Sequence, residues 1–433
     1  MNGHAVQLVV EDDLRRSRLT VFFRLLLAIP HFIWLFLWTI GTLFAAIAGW
    51  FAALVLGRLP GGLHRFLAAY VRYATQLGAY LSIAANPYPG FTGEPGYPVD
   101  VELPAEPQQQ RRWTIAIRIL LAVPALVLAA VLGSGFGAGG GGSYEQGESG
   151  RFVTTTGVGG VAAVCAILGW FAALATGRMP LGLRNLGAYG LGYTARAYAY
   201  ALLLTSRYPN SDPDSAGPVW EVPPHPVQLE LTDDRRRSRL TVFFRLLLAI
   251  PHFVWILLWS IAAFVAALAN GIVALLRGRS AAPLHRFLAA YVRYYTHLNA
   301  FVFLVANPFP SFTGTVGYPV DVLVGPPERQ NRWITLFRIF LAIPAFLIAG
   351  VLGIVLFIVG FFGWFAALVT GRMPEGFRNL GAMSIRYLAQ TNAYFFVVTD
   401  SYPHASPGLR APAEPEPEPR LEPGPPPEPE VTV

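Results

Sequence analysis

"RLTVFFRLLLAIPHFIW" occupies residues 18–34, and "RLTVFFRLLLAIPHFVW" returns at residues 239–255. The string reads as an apolar helix with an arginine, a proline and a histidine at fixed places. Arg24 and Pro30 lie six apart, and the spacing recurs at Arg118 and Pro124, Arg245 and Pro251, and Arg338 and Pro344. A second landmark follows each: "GRLP" at 57–60, "GRMP" at 177–180, "GRSAAP" at 278–283 and "GRMP" at 371–374. A third closes each quarter: "NPYPGF" at 86–91, "RYPN" at 207–210, "NPFPSF" at 307–312 and "SYPH" at 401–404. Quarters one and three match closely, as do two and four, so a unit duplicated and the pair then duplicated.

This divides the chain into a short lead (1–14), repeat unit 1 (15–92), a linker (93–110), unit 2 (111–210), a linker (211–234), unit 3 (235–313), a linker (314–328), unit 4 (329–404) and a tail (405–433). Arg24 to Arg58 is 34 residues, as are Arg245 to Arg279 and Arg338 to Arg372, but Arg118 to Arg178 is 60. Unit 2 therefore carries a 26-residue, Gly-rich polar insert, about 133–157. The tail is Pro/Glu-rich and cannot bury a core, which predicts disorder with polyproline character. Residues 409–433 carry a net −4 and leave +11 on the rest.

Of 433 residues, 54% are hydrophobic and 13% charged, with a mean hydropathy of +0.46. An ordinary soluble domain is ~25% charged. Residues 25–57 hold 33 positions without Asp, Glu, Lys or Arg, and a run of ~18 or more reads as membrane-spanning. All 32 basic residues are arginine, which reads as a codon bias. Cys165, the single cysteine, sits in "VCAILGWF" and reads as packing. The N-terminus lacks the pattern of a cleaved signal peptide.

"GWFAALVTGRMPEGFRNL", the Arg- and Tyr-bearing helix after it, "TDSYP" and "RLLLAIPHFIW" together resemble the bacterial "domain of unknown function 4389" family of membrane proteins. The resemblance covers roughly 15–92, 111–210, 235–313 and 330–403. It implies an integral membrane protein, and neither an activity nor site residues.

The expected fold is all-α: an internally duplicated bundle of about eight transmembrane helices with interfacial amphipathic helices. Four alternating stretches, at 4–13, 97–104, 225–234 and 318–324, read as short strands on one face or as extended linkers. The polar insert must meet water, so each long apolar run is split near Trp38 into helix a (about 18–38) and helix b (about 42–57). Helix c, about 62–85, is amphipathic; it lies in the interface or spans within a bundle. Arginines precede every quarter, and the positive-inside tendency puts all four starts, and both termini, in the cytoplasm of a bacterial cell.

Arg24, Arg118, Arg245 and Arg338 stand inside apolar helices, where a charge is costly and by default functional. With Arg65, Arg72, Arg286 and Arg293 of helix c they are candidate contacts for an anion or a lipid headgroup. The plainer account of the first four is snorkelling to phosphates. His31 and His252 follow on the same face, but Ala125 and Ala345 replace them in the other quarters, which excludes a fourfold histidine site. The helices contain no carboxylate relay and no carboxylate partner for the arginines, which must pair with backbone carbonyls, water, lipid phosphate or an anionic ligand. No metal-ligand spacing, Walker loop, dinucleotide motif or catalytic constellation is present. The reading is thus a non-enzymatic membrane scaffold, without cofactor, metal or nucleic acid. It would touch anionic lipids through arginines and proteins through its tail. The alternative is an anion or amphiphile channel or transporter built on pseudo-twofold repeats.

Overall fold

A computed structural model describes residues 6–133, 159–214 and 217–409. Each quarter contributes one long apolar rod and one shorter helix folded back along it. In quarter one a strand, β1 (Gln7–Val10), precedes the rod, which is α1 (Arg18–Leu27) followed by α2 (Ile29–Leu56). The returning helix is α3 (Gly61–Leu81), and β2 (Val99–Glu102) closes the unit. Quarter two has α4 (Arg112–Ala116), α5 (Arg118–Leu132) and α6 (Val161–Thr176) as its rod and α7 (Leu181–Ala201) as its return. Quarter three repeats the first with β3 (Val227–Leu231), α8 (Arg239–Phe243), α9 (Arg245–Arg277), α10 (Ala282–Val302) and β4 (Val320–Val324). Quarter four is α11 (Arg332–Thr370) and α12 (Glu375–Phe395).

The rod of quarter one shows why these sequences fold as they do. Its buried positions are Val21, Arg24, Ala28, His31, Thr42, Gly49 and Ala53, a narrow stripe whose steps are three or four residues or sums of these. That stripe meets α3, while Phe36, Leu43, Phe44 and Phe51 remain exposed. Small stripe residues permit close approach: a Cβ on Gly49 would lie 2.8 Å from Leu59. Each rod ends at a left-handed glycine, Gly57, Gly177, Gly278 or Gly371, as a helix C-terminus favours.

The expected turn near Trp38 does not form. α2 runs through it for 28 residues, α9 is 33 long and α11 is 39. Among the described residues these three helices are long and apolar enough to cross a membrane, where about eight spans were expected. The inference from the insert failed for a physical reason. Its flanks abut, a Cβ on Gly160 falling 2.3 Å from the Gly133 carbonyl, so the insert leaves and rejoins one rod without forcing a turn in the others. Residues 134–158, most of the expected insert, lie outside the described residues, as does the tail from 410.

Within each half the two rods are antiparallel and exchange their ends. Arg16 N–H donates to Gly177 O, and Gln110 N–H to Gly57 O. Arg237 N–H donates to Gly371 O and Gln330 N–H to Gly278 O. The starts of successive quarters therefore lie at opposite rod ends. The halves join where α5 and α6 meet α11, through Leu128, Leu132, Val164, Leu352 and Val355.

All four expected strands form, as two separate antiparallel pairs rather than one sheet. β1 pairs with β2 from Gln7↔Glu102 to Val10↔Val99, and β3 with β4 from Val227↔Val324 to Leu231↔Val320. Both pairs pack on returning helices. The molecule is thus layered: rods, returning helices, strands. Residues 405–409 depart from the disorder expected of the tail. Ala405 and Ser406 are buried, and Ser406 Oγ accepts from Asn185 Nδ2 at 2.7 Å.

An Ile40→Pro substitution tests the continuous rod. Position 40 is exposed, so the cost is that of breaking helix, about 3 kcal/mol. Chemical unfolding in detergent should show that loss; a turn at this point would tolerate the change.

Candidate functional site

The four arginines that recur six residues before proline occupy one repeated structure. Arg24, Arg118, Arg245 and Arg338 are 1–3% exposed, and each points from its rod to the C-terminal end of its own quarter's returning helix. Arg24 Nη1 donates to Tyr80 O at 2.5 Å and Ala85 O at 3.0 Å. Arg245 donates to Phe301 O and, at 3.0 Å, to Ala306 O. Arg338 donates to Tyr394 O at 2.5 Å and Thr399 O at 2.9 Å. Arg118 reaches Thr205 O at 3.3 Å. The second-contact separation is 61 residues in three quarters and 87 in quarter two, the difference being the insert. Each guanidinium also lies 4.1–4.7 Å from the ring centre of Tyr80, Tyr200, Phe301 or Tyr394.

The helix end explains why a cation is needed. A helix terminus leaves four carbonyls without partners and carries partial negative charge. Here the chain turns on a residue with positive φ that is not glycine: Ile83, Leu203, Leu304 and Val397, at 59–65°. A side chain in that region costs about 1–2 kcal/mol. The side chains of Ile83, Leu203, Leu304 and Val397 are buried, and the burial offsets the strain.

A second donor completes each cap, eight residues before the arginine. In the odd quarters it is an arginine: Arg16 Nε to Ile83 O at 3.1 Å, and Arg237 Nε to Leu304 O at 3.0 Å. In the even quarters it is a glutamine: Gln110 to Leu203 O at 2.7 Å, and Gln330 to Val397 O at 2.9 Å. Asp12 holds Arg16 at 2.6 Å and Asp233 holds Arg237 at 2.8 Å. The sequence reading missed this position. Its signal was the repeated "DDLRRSR" and "DDRRRSR", which set Asp and Arg four apart before both odd rods.

The snorkelling account of the first four candidates fails on their burial. The expectation that they lack carboxylate partners is corrected at Arg338, which pairs with Asp400. Arg72 and Arg293 clamp returning helices to strands: Arg72 Nε donates to Val101 O at 3.3 Å and Arg293 Nε to Val322 O at 3.2 Å, beside Asp100 and Asp321. Arg65 and Arg286 are exposed. His31 and His252 are buried, Nδ1 bonded to Tyr73 Oη at 2.7 Å and Tyr294 Oη at 2.8 Å, and stacked on Phe91 and Phe312. Cys165 is buried and free, packed in the core as read. Among the described residues no three His, Cys, Asp or Glu side chains group as metal ligands.

The segment after the fourth quarter has its own anchor. Arg386 donates to the carbonyls of Ser406 and Gly408, and His404 Nδ1 accepts from Ser406 N–H at 3.3 Å. Burial, with Arg386 and His225 nearby, pushes His404 down to about 4.

The family model of the domain of unknown function (DUF4389) matches residues 18–92, 152–211, 239–313 and 332–406. The chain belongs to that family and carries its domain four times. No curated protein and no solved structure matches it.

Replacing Arg245 by Met leaves the buried Ala306 carbonyl without its arginine donor and Phe301 O with Leu304 N–H alone, at a cost of roughly 1–3 kcal/mol; equilibrium unfolding should report a loss of that size. Acid tests the His404 anchor. Below about pH 6.5 the unfolded chain takes up a proton that folded His404 refuses until about pH 4. Stability should fall through that window as acid is added, and His404→Gln should flatten the fall.

Proposed function

We propose that this chain is a non-enzymatic membrane scaffold whose rods lie along a bilayer, with exposed arginines on anionic headgroups. The observation that carries the orientation is the polar insert. It enters and leaves the quarter-two rod midway, between α5 and α6; a rod crossing the bilayer would hold that insert in hydrocarbon, where unsatisfied polar groups are excluded.

Two further features support it. A 33-residue rod such as α9 is about 50 Å long, and crossing a ~30 Å core would need a tilt of roughly 53°, beyond the usual ~40°. The non-helical stretch from residue 86 to 110 also travels from the start of rod one to its far end, bearing Glu94, Asp100, Glu102 and Glu106. A crossing arrangement would draw those carboxylates through the hydrocarbon. Along the membrane, the exposed faces of the rods meet acyl chains and the strand layer meets water. Arg65 and Arg286 are then headgroup contacts.

The channel reading loses its main support because the rod arginines are occupied by carbonyls, which leaves no row of free cations for an anion to follow. Liposome flux separates the two: a scaffold gives no anion leak, and a leak abolished by Arg24→Gln would favour the channel.

Orientation is tested with single cysteines at Arg58 and Arg178 in a Cys165→Ser background. Positions 58 and 178 stand at opposite ends of the antiparallel pair. In sealed vesicles an impermeant maleimide should label both from the same side. Labelling of one only after permeabilisation would mean that the rods cross.

A further inference from the structure

Three isolated antiparallel bridges join the rod ends, and each sets arginine opposite arginine: Arg15↔Arg178, Arg236↔Arg372 and Arg279↔Arg329. Directly opposed like charges destabilise a strand pair. At the first two a carboxylate stands close: Asp13 accepts from Arg15 N–H, and Asp234 lies 3.9 Å from Arg236. The third is different. Among the described residues no carboxylate lies within ion-pair distance of Arg279, Arg329 or neighbouring Arg277, and all three are exposed. Arg332 beside them is committed to Leu276 O at 3.1 Å.

This is also where the "GRxP" landmark breaks down. "GRSAAP" inserts two residues before the proline, and the altered turn opens a surface cavity of about 440 Å³ lined by Val273, Arg277, Arg279, Ser280, Ala282 and Pro327. Ser280 Oγ is spent inward on Val397 O at 3.0 Å, which leaves the guanidinium groups as the cavity's uncommitted donors. On its rod side the cavity is lined by Val273, and the neighbouring side chains Ile272 and Leu276 of α9 are exposed. Cationic donors thus sit at one edge of a hollow whose other edge is hydrocarbon.

We propose that this cavity binds a phosphate-bearing anionic headgroup, held between Arg277, Arg279 and Arg329, with the lipid's acyl chains along Ile272 and Leu276 of α9. The proposal rests on the membrane reading above. Phosphate suits the donor set because paired guanidinium groups present several N–H donors to its oxygens. The cavity's apolar edge makes a lipid the source.

The test uses the full chain in phosphatidylcholine nanodiscs, with and without added phosphatidylglycerol, and native mass spectrometry to count retained lipid. Arg279→Gln with Arg329→Gln should weaken phosphatidylglycerol retention roughly thirtyfold. The control is Arg58→Gln with Arg111→Gln: equal charge loss at the matching junction of the first half, where Gln109 occupies the place of Arg329. It should stay close to wild type. Equal loss in both variants, or loss in neither, would overturn the site. Inorganic phosphate titrated into phosphatidylcholine discs is expected not to bind; saturable binding lost with Arg279 would assign the site to a soluble anion and overturn the lipid. Thermal melts confirm that both variants fold. A chain that fails to stay in plain phosphatidylcholine discs overturns the membrane reading instead, before any anionic lipid is added.

Discussion

Each quarter of this protein depends on one contact: a guanidinium from the rod seated on carbonyls at the end of the helix that folds back along it. The need arises at the helix end, where a non-glycine residue turns left-handed and buried carbonyls on either side of it face the rod. A long, multiply donating cation on the rod reaches two of them together in quarters one, three and four. That one side chain fixes the angle of the hairpin, closes the helix and neutralises its dipole. Its recurrence at all four quarters, across a 26-residue insertion in one, shows the cap to be a property of the unit.

The quarters then differ in how the second donor is supplied. Odd quarters use an arginine held by an aspartate, placed just after the strand that opens the unit. Even quarters use a neutral glutamine, and their arginines lean on neighbours instead: Gln110 for Arg118, and Gln330 with Asp400 for Arg338. A charged second donor next to a first would repel it unless a carboxylate balances it, which accounts for Asp12 beside Arg16 and Asp233 beside Arg237. The same division marks the rods. Odd-quarter rods are the outer, more exposed ones, and even-quarter rods meet at the centre of the molecule.

Much of this was legible from residue order alone. The repeat, the rod arginines, the returning amphipathic helix and all four strands follow from spacing and periodicity. The targets of Arg24 and its equivalents were not, because a main-chain carbonyl carries no letter in the sequence and the contact spans 56 residues. The turn assigned near Trp38 came from treating the insert's polarity as a statement about its neighbours, when Gly133 and Gly160 simply let the chain leave and return at one point. The exchange of rod ends was equally hidden. It uses backbone hydrogen bonds between "RRSR" and "GRMP" segments of different quarters, and charge counting had assigned both to one side for another reason.

Amide hydrogen exchange tests the arginine cap most directly, because it reads the helix end itself. In Arg24→Met the account predicts that protection collapses at residues 79–86, the last turn of α3 and its cap, while the last turn of α10 keeps its wild-type protection. Unchanged exchange at 79–86, or equal loss at both helix ends, would contradict it.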